Sequence, residues 1–196
     1  MIGRLVGSLL VVASPLLAQL PEGWAGRADK GEASGIKFVA MGPGFHLTPG
    51  ASGIIYRAAD KTEGKFHSIA SFTQTKAPSH PEGYGMFLAG NSLDGDNQSY
   101  VYFLIRGDGK FLVKKREGAT TADVMAWTGH DAIQKQDAAG KSTNSMEIDA
   151  SGAKVAFKVN GKVVYEMDAP NRAGQVGLRL NHGLDLHIAG FEVHKL

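Results

Sequence analysis

From Ser142 to Leu196 the chain alternates apolar and polar residues almost without a break. Val155, Phe157 and Val159 fall on one side of an extended chain, and Lys154, Ala156 and Lys158 on the other, because successive strand side chains point to opposite faces. Asn160-Gly161 follows, and Val163, Tyr165 and Met167 then resume the alternation. An Asn-Gly pair between period-two runs marks a two-residue hairpin, since both central residues of that turn need positive φ. The pattern predicts antiparallel β structure with one buried and one wet face per sheet. A parallel α/β sheet is excluded, because its strands alternate with helical spacers.

Similar runs predict strands at 36–41, 53–58, 65–74, 83–89, 99–106, 110–116 and 124–127, then at 142–149, 154–159, 162–167, 175–180 and 184–194. Gly107-Asp108-Gly109, Ser151-Gly152 and Asn181-His182-Gly183 supply turn chemistry between them. Residues 128–141 lack a period and read as a loop with a short helical turn. Residues 19–35 read as a polar lead-in. Short strands without helical spacers, a 43% hydrophobic content and 26 glycines together predict an all-β antiparallel β-sandwich in one domain, 36–196. With 21 basic and 19 acidic residues scattered along the chain, no nucleic-acid partner is expected.

The N-terminus has the three parts of a secretory signal. Arg4 gives a positive start, Leu5 to Leu17 is largely apolar, and Ala18 is a small residue before Gln19. At roughly thirteen residues the apolar stretch is short for a bilayer span. Residues 1–18 are therefore expected to be a cleaved signal peptide. The chain has no cysteine, so a secreted or periplasmic domain would rest on its core alone, without disulfides and without an acylated membrane anchor.

Several segments carry a resemblance. Asn160-Gly161-Lys162-Val163-Val164, the run from Gly174 to Arg179, Leu184-Asp185-Leu186-His187 and Phe191-Glu192-Val193 resemble the closing strands of the concanavalin A-like lectin/glucanase superfamily. Tyr84-Gly85-Met86-Phe87 and the run from Tyr100 to Arg106 are similar to its middle strands. The nearest likeness is to exported laminin-G-like and 3-keto-disaccharide hydrolase-like domains, over roughly residues 36–196. It implies a concanavalin A-like jelly roll. It does not imply one activity, because such folds carry enzymes, lectins and adhesive modules.

Glucanases of this superfamily carry a Glu-x-Asp-x-x-Glu strand, whose paired carboxylates serve retaining hydrolysis. Here Glu147-Ile148-Asp149 meets Gly152 at the third position, so no catalytic residue is assigned. Tyr100 and Tyr102 share a strand face with Arg106, and Tyr rings on a wet face are platforms on which a pyranose can stack. Trp127 is expected to add a rim contact. If 175–180 pairs with 184–190 as a hairpin, then Arg179, Asn181, Asp185 and His187 share a face, with His182 at the turn. Those side chains could grip sugar hydroxyls, and His182, Asp185 and His187 could hold a metal. Asn91, Asp94, Asp96 and Asn97 lie at close spacing in one loop and offer oxygen ligands for Ca²⁺.

The expected function is an exported carbohydrate-binding, lectin-like module acting on an extracellular or periplasmic glycan. Two alternatives stay open: a glycoside hydrolase or lyase, and a module that binds a protein partner without sugar.

Overall fold

The computed structural model describes residues 20–30, 35–168 and 171–196. The expected signal peptide, 1–18, lies outside the described residues. Among the described residues the chain forms two seven-stranded sheets in which every neighbouring pair is antiparallel. The front sheet runs in space β1 (Trp24–Ala28), β4 (Gly53–Thr62), β13 (Gly174–Leu180), β6 (Gly83–Asn91), β7 (Ser99–Arg106), β8 (Lys110–Glu117) and β9 (Thr120–Gly129). The back sheet runs β12 (Lys162–Met167), β11 (Val155–Val159), β10 (Ser142–Asp149), β5 (Phe66–Gln74), β14 (Leu186–Lys195), β3 (Gly44–Pro49) and β2 (Ile36–Met41). This is the β-sandwich of jelly-roll type that the alternation predicts. No helix of the described residues is long and apolar enough to cross a membrane.

Alternation decides what fills the space between the sheets. Phe66, Ala70 and Phe72 of β5, Met146 and Ile148 of β10, and Phe157 of β11 face Met86 and Leu88 of β6, Phe103 and Ile105 of β7, and Leu178 of β13. Phe103 and Phe157 meet across the gap with ring centroids 5.0 Å apart. Burying each such side chain contributes about 1.5–3 kcal/mol.

The Asn160-Gly161 turn forms as expected, with φ of 50° and 77° at its two residues. Its Asn160 side chain does more than turn the chain. The amide donates to Ala132 O (2.8 Å) and to Asn144 Oδ1 (2.9 Å), tying down the 130–141 loop. The phase of β12 differs from the simple alternation. A bulge between Phe157 and Lys158 leaves Val163 47% exposed, while Tyr165 and Met167 pack on the core.

Two strands escape the sequence reading. β1 lies inside the expected lead-in and pairs with β4. β3 pairs with both β2 and β14. They close one side of the sandwich with aromatic contacts: Trp24 packs on Phe38 (5.3 Å between ring centroids) and on Phe45 (5.2 Å), and Arg57 lies over Trp24 at 5.3 Å.

The expected hairpin of 175–180 with 184–190 does not form. β13 belongs to the front sheet, between β4 and β6, whereas β14 belongs to the back sheet, between β5 and β3. Residues 181–183 arch from one sheet to the other. Only Gly183 there has positive φ (69°), so the two successive positive-φ residues of a tight hairpin turn are missing. Arg179 therefore stands on a different sheet from His187, and their expected shared face is corrected accordingly.

Candidate functional site on the outer face of the front sheet

The face of the front sheet turned away from the core is not a wet polar surface. Tyr100, Tyr102 and Leu104 of β7, Phe87 of β6, Leu93 of the loop between β6 and β7, Ile54 of β4 and Leu112 of β8 form a second buried cluster there, flanked by Tyr56 and Trp127. Register explains the assembly. Tyr100 stands opposite Arg116, Tyr102 opposite Phe87 and Lys114, and Leu104 opposite Leu112. Arg179 stands opposite Ile54 on the neighbouring strand.

A charged group sits on this cluster. Asp29, just past β1, accepts from Arg179 through both carboxylate oxygens (2.9 and 2.5 Å) and pairs with Arg116 at 3.0 Å. Both guanidinium groups also lie over tyrosine rings: Arg179 over Tyr102 at 5.4 Å and Arg116 over Tyr100 at 5.9 Å. The arginine side chains are only 6% and 9% exposed. Tyr100 and Tyr102 are 2% and 5% exposed. The tyrosines are thus the floor of the site rather than the open platform that the sequence suggests. Burial pushes the Tyr100 phenol above its ordinary value, against the opposing charges of Arg179 and Arg116. The Tyr100 hydroxyl and the Nε atoms of Arg116 and Arg179 are buried without a hydrogen-bond partner. Buried polar atoms are nearly always paired, so three such atoms on one face are a feature to explain.

Around this floor stand more open side chains. Arg106 lies over the Trp127 ring at 4.4 Å and is held by Asp108 (2.8 Å). Lys114 pairs with Asp123 at 3.0 Å, and Arg27 with Asp96 at 3.2 Å. Trp127 is half-buried on the sheet's last strand, with its ring edge toward Gly83. Tyr100, Tyr102, Arg106, Trp127 and Arg179 therefore share one face.

The other expected site residues are elsewhere. Asn181 and His182 lie at the end of the front sheet, where both reach Glu82. Asp185 starts the return into the back sheet, held by His46 (2.8 Å), Lys76 (3.0 Å) and the Thr75 hydroxyl. Burial raises its pKa, but Thr75, Lys76 and His46 outweigh this and leave the group below its ordinary value. His187 stands in register with His46 and Thr73 on the back sheet. His182, Asp185 and His187 do not converge.

In the loop expected to hold Ca²⁺, the Asn91 amide turns back onto Ala89 O (2.9 Å) and Asp96 faces Arg27. Leu93 of this loop packs in the buried cluster that Tyr56 flanks, which places the loop at the rim of the same face. Asp29, Arg116 and Tyr56 were not singled out from sequence. Arg116 was findable, since alternation along β8 puts it beside Tyr100. Asp29 carries no local signal.

Glu147 and Asp149 are on the opposite side of the molecule, each with a basic side chain beside it. Glu147 meets His67 at 3.1 Å, and Asp149 meets Lys158 at 2.8 Å and Ser151 at 2.6 Å. The Lys158 bond, with help from Ser151, holds the Asp149 carboxyl far below its ordinary value of 3.8. A carboxylate with a depressed folded-state pKa stabilises the fold above its unfolded pKa, and this is lost as pH falls. Asp149→Asn is therefore expected to lower stability at neutral pH. Against wild type, the deficit should shrink steadily in urea unfolding below pH 3.8. A deficit that stays constant with pH would contradict this role.

No protein-family model matches the sequence, and no curated protein matches it. Solved structures do. The carbohydrate-binding module CBM66 from Bacillus subtilis has a TM-score of 0.64 at 12% identity, over 88% of this chain and 96% of that one. The Emp46p carbohydrate recognition domain has a TM-score of 0.58 at 15% identity, over 92% and 94%. A putative glycosyl hydrolase from Parabacteroides distasonis has a TM-score of 0.54 at 13% identity, over 89% and 88%. At such identities the likeness is one of fold, an antiparallel β-sandwich of jelly-roll type.

Proposed function

We propose that the protein binds a saccharide on the outer face of the front sheet and that it does so outside the cytoplasm. The observation that carries the first part is one juxtaposition. A half-buried Trp127 ring flanked by Arg106 shares a face with a floor of Tyr100 and Tyr102 that holds the Arg116 and Arg179 guanidinium groups. An indole ring takes the apolar C–H face of a sugar, while the more open Arg106, Lys114 and Arg27 around the floor can donate to hydroxyls. Two buried guanidinium groups share one carboxylate, so the floor carries surplus positive charge. That surplus favours sugars with an acidic group. The names of the structural neighbours, a carbohydrate-binding module and a carbohydrate recognition domain, support the same reading. The N-terminal charge and hydropathy pattern supports export.

The test is a binding titration of the chain against neutral and uronate-containing oligosaccharides, with wild type beside Trp127→Ala. Trp127 lies on the front sheet's last strand, so its loss should leave the core intact. Binding should weaken by about tenfold or more, the equivalent of about 1.4 kcal/mol. A variant that binds every saccharide as well as wild type would remove Trp127 from the site.

A further inference from the structure

One cluster of ligating side chains lies apart from the tyrosine floor. Glu82, just before β6, is 8% exposed. Its Oε1 is met by His80 Nε2 at 2.7 Å and by His182 Nε2 at 3.4 Å. Among the described residues these three form a group whose ligating atoms all lie within 4.8 Å of one another. We propose that His80, Glu82 and His182 form a binding site for a divalent transition-metal ion, Zn²⁺ foremost.

Two histidines paired with a carboxylate could be no more than ion pairs. The surroundings argue for a built site. Each imidazole has its other nitrogen at a hydroxyl: His80 Nδ1 at Ser79 Oγ (3.0 Å) and His182 Nδ1 at Ser52 Oγ (3.3 Å). The Asn181 amide donates to the second carboxylate oxygen, Glu82 Oε2, at 2.9 Å. Such outer partners fix ring orientation and carboxylate rotamer around bound metals. Both Nε2 atoms and Oε1 remain turned toward one another.

The backbone beneath is equally fixed. Asn181 N donates to Gly83 O (3.0 Å), His182 N to Ser52 Oγ (3.1 Å) and Gly183 N to Pro49 O (2.9 Å). These bonds hold the β13-to-β14 arch against the end of β3 and the starts of β4 and β6. The ligands therefore come from two segments, 80–82 and 182, clamped at one end of the front sheet.

The chemistry of the donors selects the ion. Two imidazoles and one carboxylate make a three-ligand set with an open fourth position, which Zn²⁺ accepts. Ca²⁺ and Mg²⁺ prefer all-oxygen shells. The order of divalent affinities puts Zn²⁺ and Cu²⁺ above Mn²⁺ and Fe²⁺ on nitrogen ligands. The metal site needs no saccharide, and its test is independent of the preceding proposal.

The test is titration of the chelator-stripped chain with Zn²⁺, followed by calorimetry and by thermal unfolding, with Co²⁺ as a spectroscopic substitute. One Zn²⁺ should bind per chain and raise the unfolding midpoint by mass action, with no such rise in Ca²⁺ or Mg²⁺. Bound Co²⁺ should show the visible absorption of a four-coordinate ion. Glu82→Gln and His182→Asn should each abolish saturable binding. His80→Asn should do the same, and because its side chain is 59% exposed the substitution should leave the fold intact. Asn181→Ala should weaken affinity by about tenfold to a hundredfold while leaving the ligands in place. Far-UV circular dichroism identifies any variant that has not folded. The proposal is overturned if the stripped chain binds no Zn²⁺ saturably. It is equally overturned if binding survives in folded His80→Asn and His182→Asn, or is lost instead in His67→Asn on the back sheet.

Discussion

Replacing Asp29 by alanine should lower the unfolding free energy by about 3 kcal/mol, the low end of the cost of breaking a buried ion pair. In a domain of this length that corresponds to a fall in Tm of about 6–12 °C. The low end applies because the Asp29 side chain is itself 23% exposed, so water supplies part of its solvation. Its partners have no such relief. Arg116 and Arg179 are less than a tenth exposed, and without Asp29 each would keep a full charge beside the Tyr100 and Tyr102 rings.

The cause can be separated from lost packing. If uncompensated charge is responsible, Asp29→Ala combined with Arg116→Met and Arg179→Met should recover much of the lost stability, because apolar side chains of similar length fill the same volume without a desolvation cost. Urea unfolding of the single, double and triple variants measures this directly. A triple variant less stable than Asp29→Ala alone would show that the arginines act there chiefly by packing their stems.

Gly140→Ala should cost about 2–4 kcal/mol, from left-handed backbone strain together with forced displacement of a neighbour. Gly140 has φ of 80°, where a side chain is strained, and an added Cβ would run into the backbone of Ala77. Yielding is difficult there. Gly140 O accepts from the buried Gln74 amide at 2.7 Å, and Asp137 Oδ1 accepts from both Ala139 N and Lys141 N at 2.9 Å. Moving the loop would strand the Gln74 amide inside the protein. Thermal unfolding of the variant checks the magnitude. A loss below about 0.5 kcal/mol, the scale of ordinary surface substitutions, would mean that the loop relocates freely.

How far alternation reaches is visible in particular strands. Ile36–Met41, Ser99–Arg106, Ser142–Asp149 and Lys162–Met167 form over the residues where the pattern predicts them. β1 was missed because Trp24-Ala25-Gly26-Arg27-Ala28 has small residues where an alternating strand would show large ones. It is held as a strand by pairing with β4 and by the aromatic contacts of Trp24. The misplaced hairpin has a different origin. Period two tells which residues share a side of a strand, but not which sheet the strand joins. β13 and β14 are consecutive, apolar on alternate positions and separated by turn residues, and they still part to opposite sheets.

The same limit shapes the site. Tyr100, Tyr102 and Arg106 lie on one strand, so their common face follows from spacing alone. Arg179 reaches that face by topology, and its counter-ion Asp29 lies 150 residues away in sequence. Pairing over such a distance is a property of strand order, which single-sequence patterns do not encode. The burial of the tyrosines is likewise set by Arg116 and Arg179 lying over them, and was not legible from their alternation.

The most direct measurement of the central claim is heteronuclear NMR of the chain, titrated with the saccharide that binds best among neutral and uronate-containing oligosaccharides. The resonances to follow are the Trp127 indole N–H and the Arg116 and Arg179 Nε–H groups, with the Trp24 indole and the His46 and His187 rings as remote references. The account predicts saturable shifts at Trp127, Arg116 and Arg179 with one common affinity, and none at the references. Shifts confined to the back sheet, or no shift with any oligosaccharide, would contradict it.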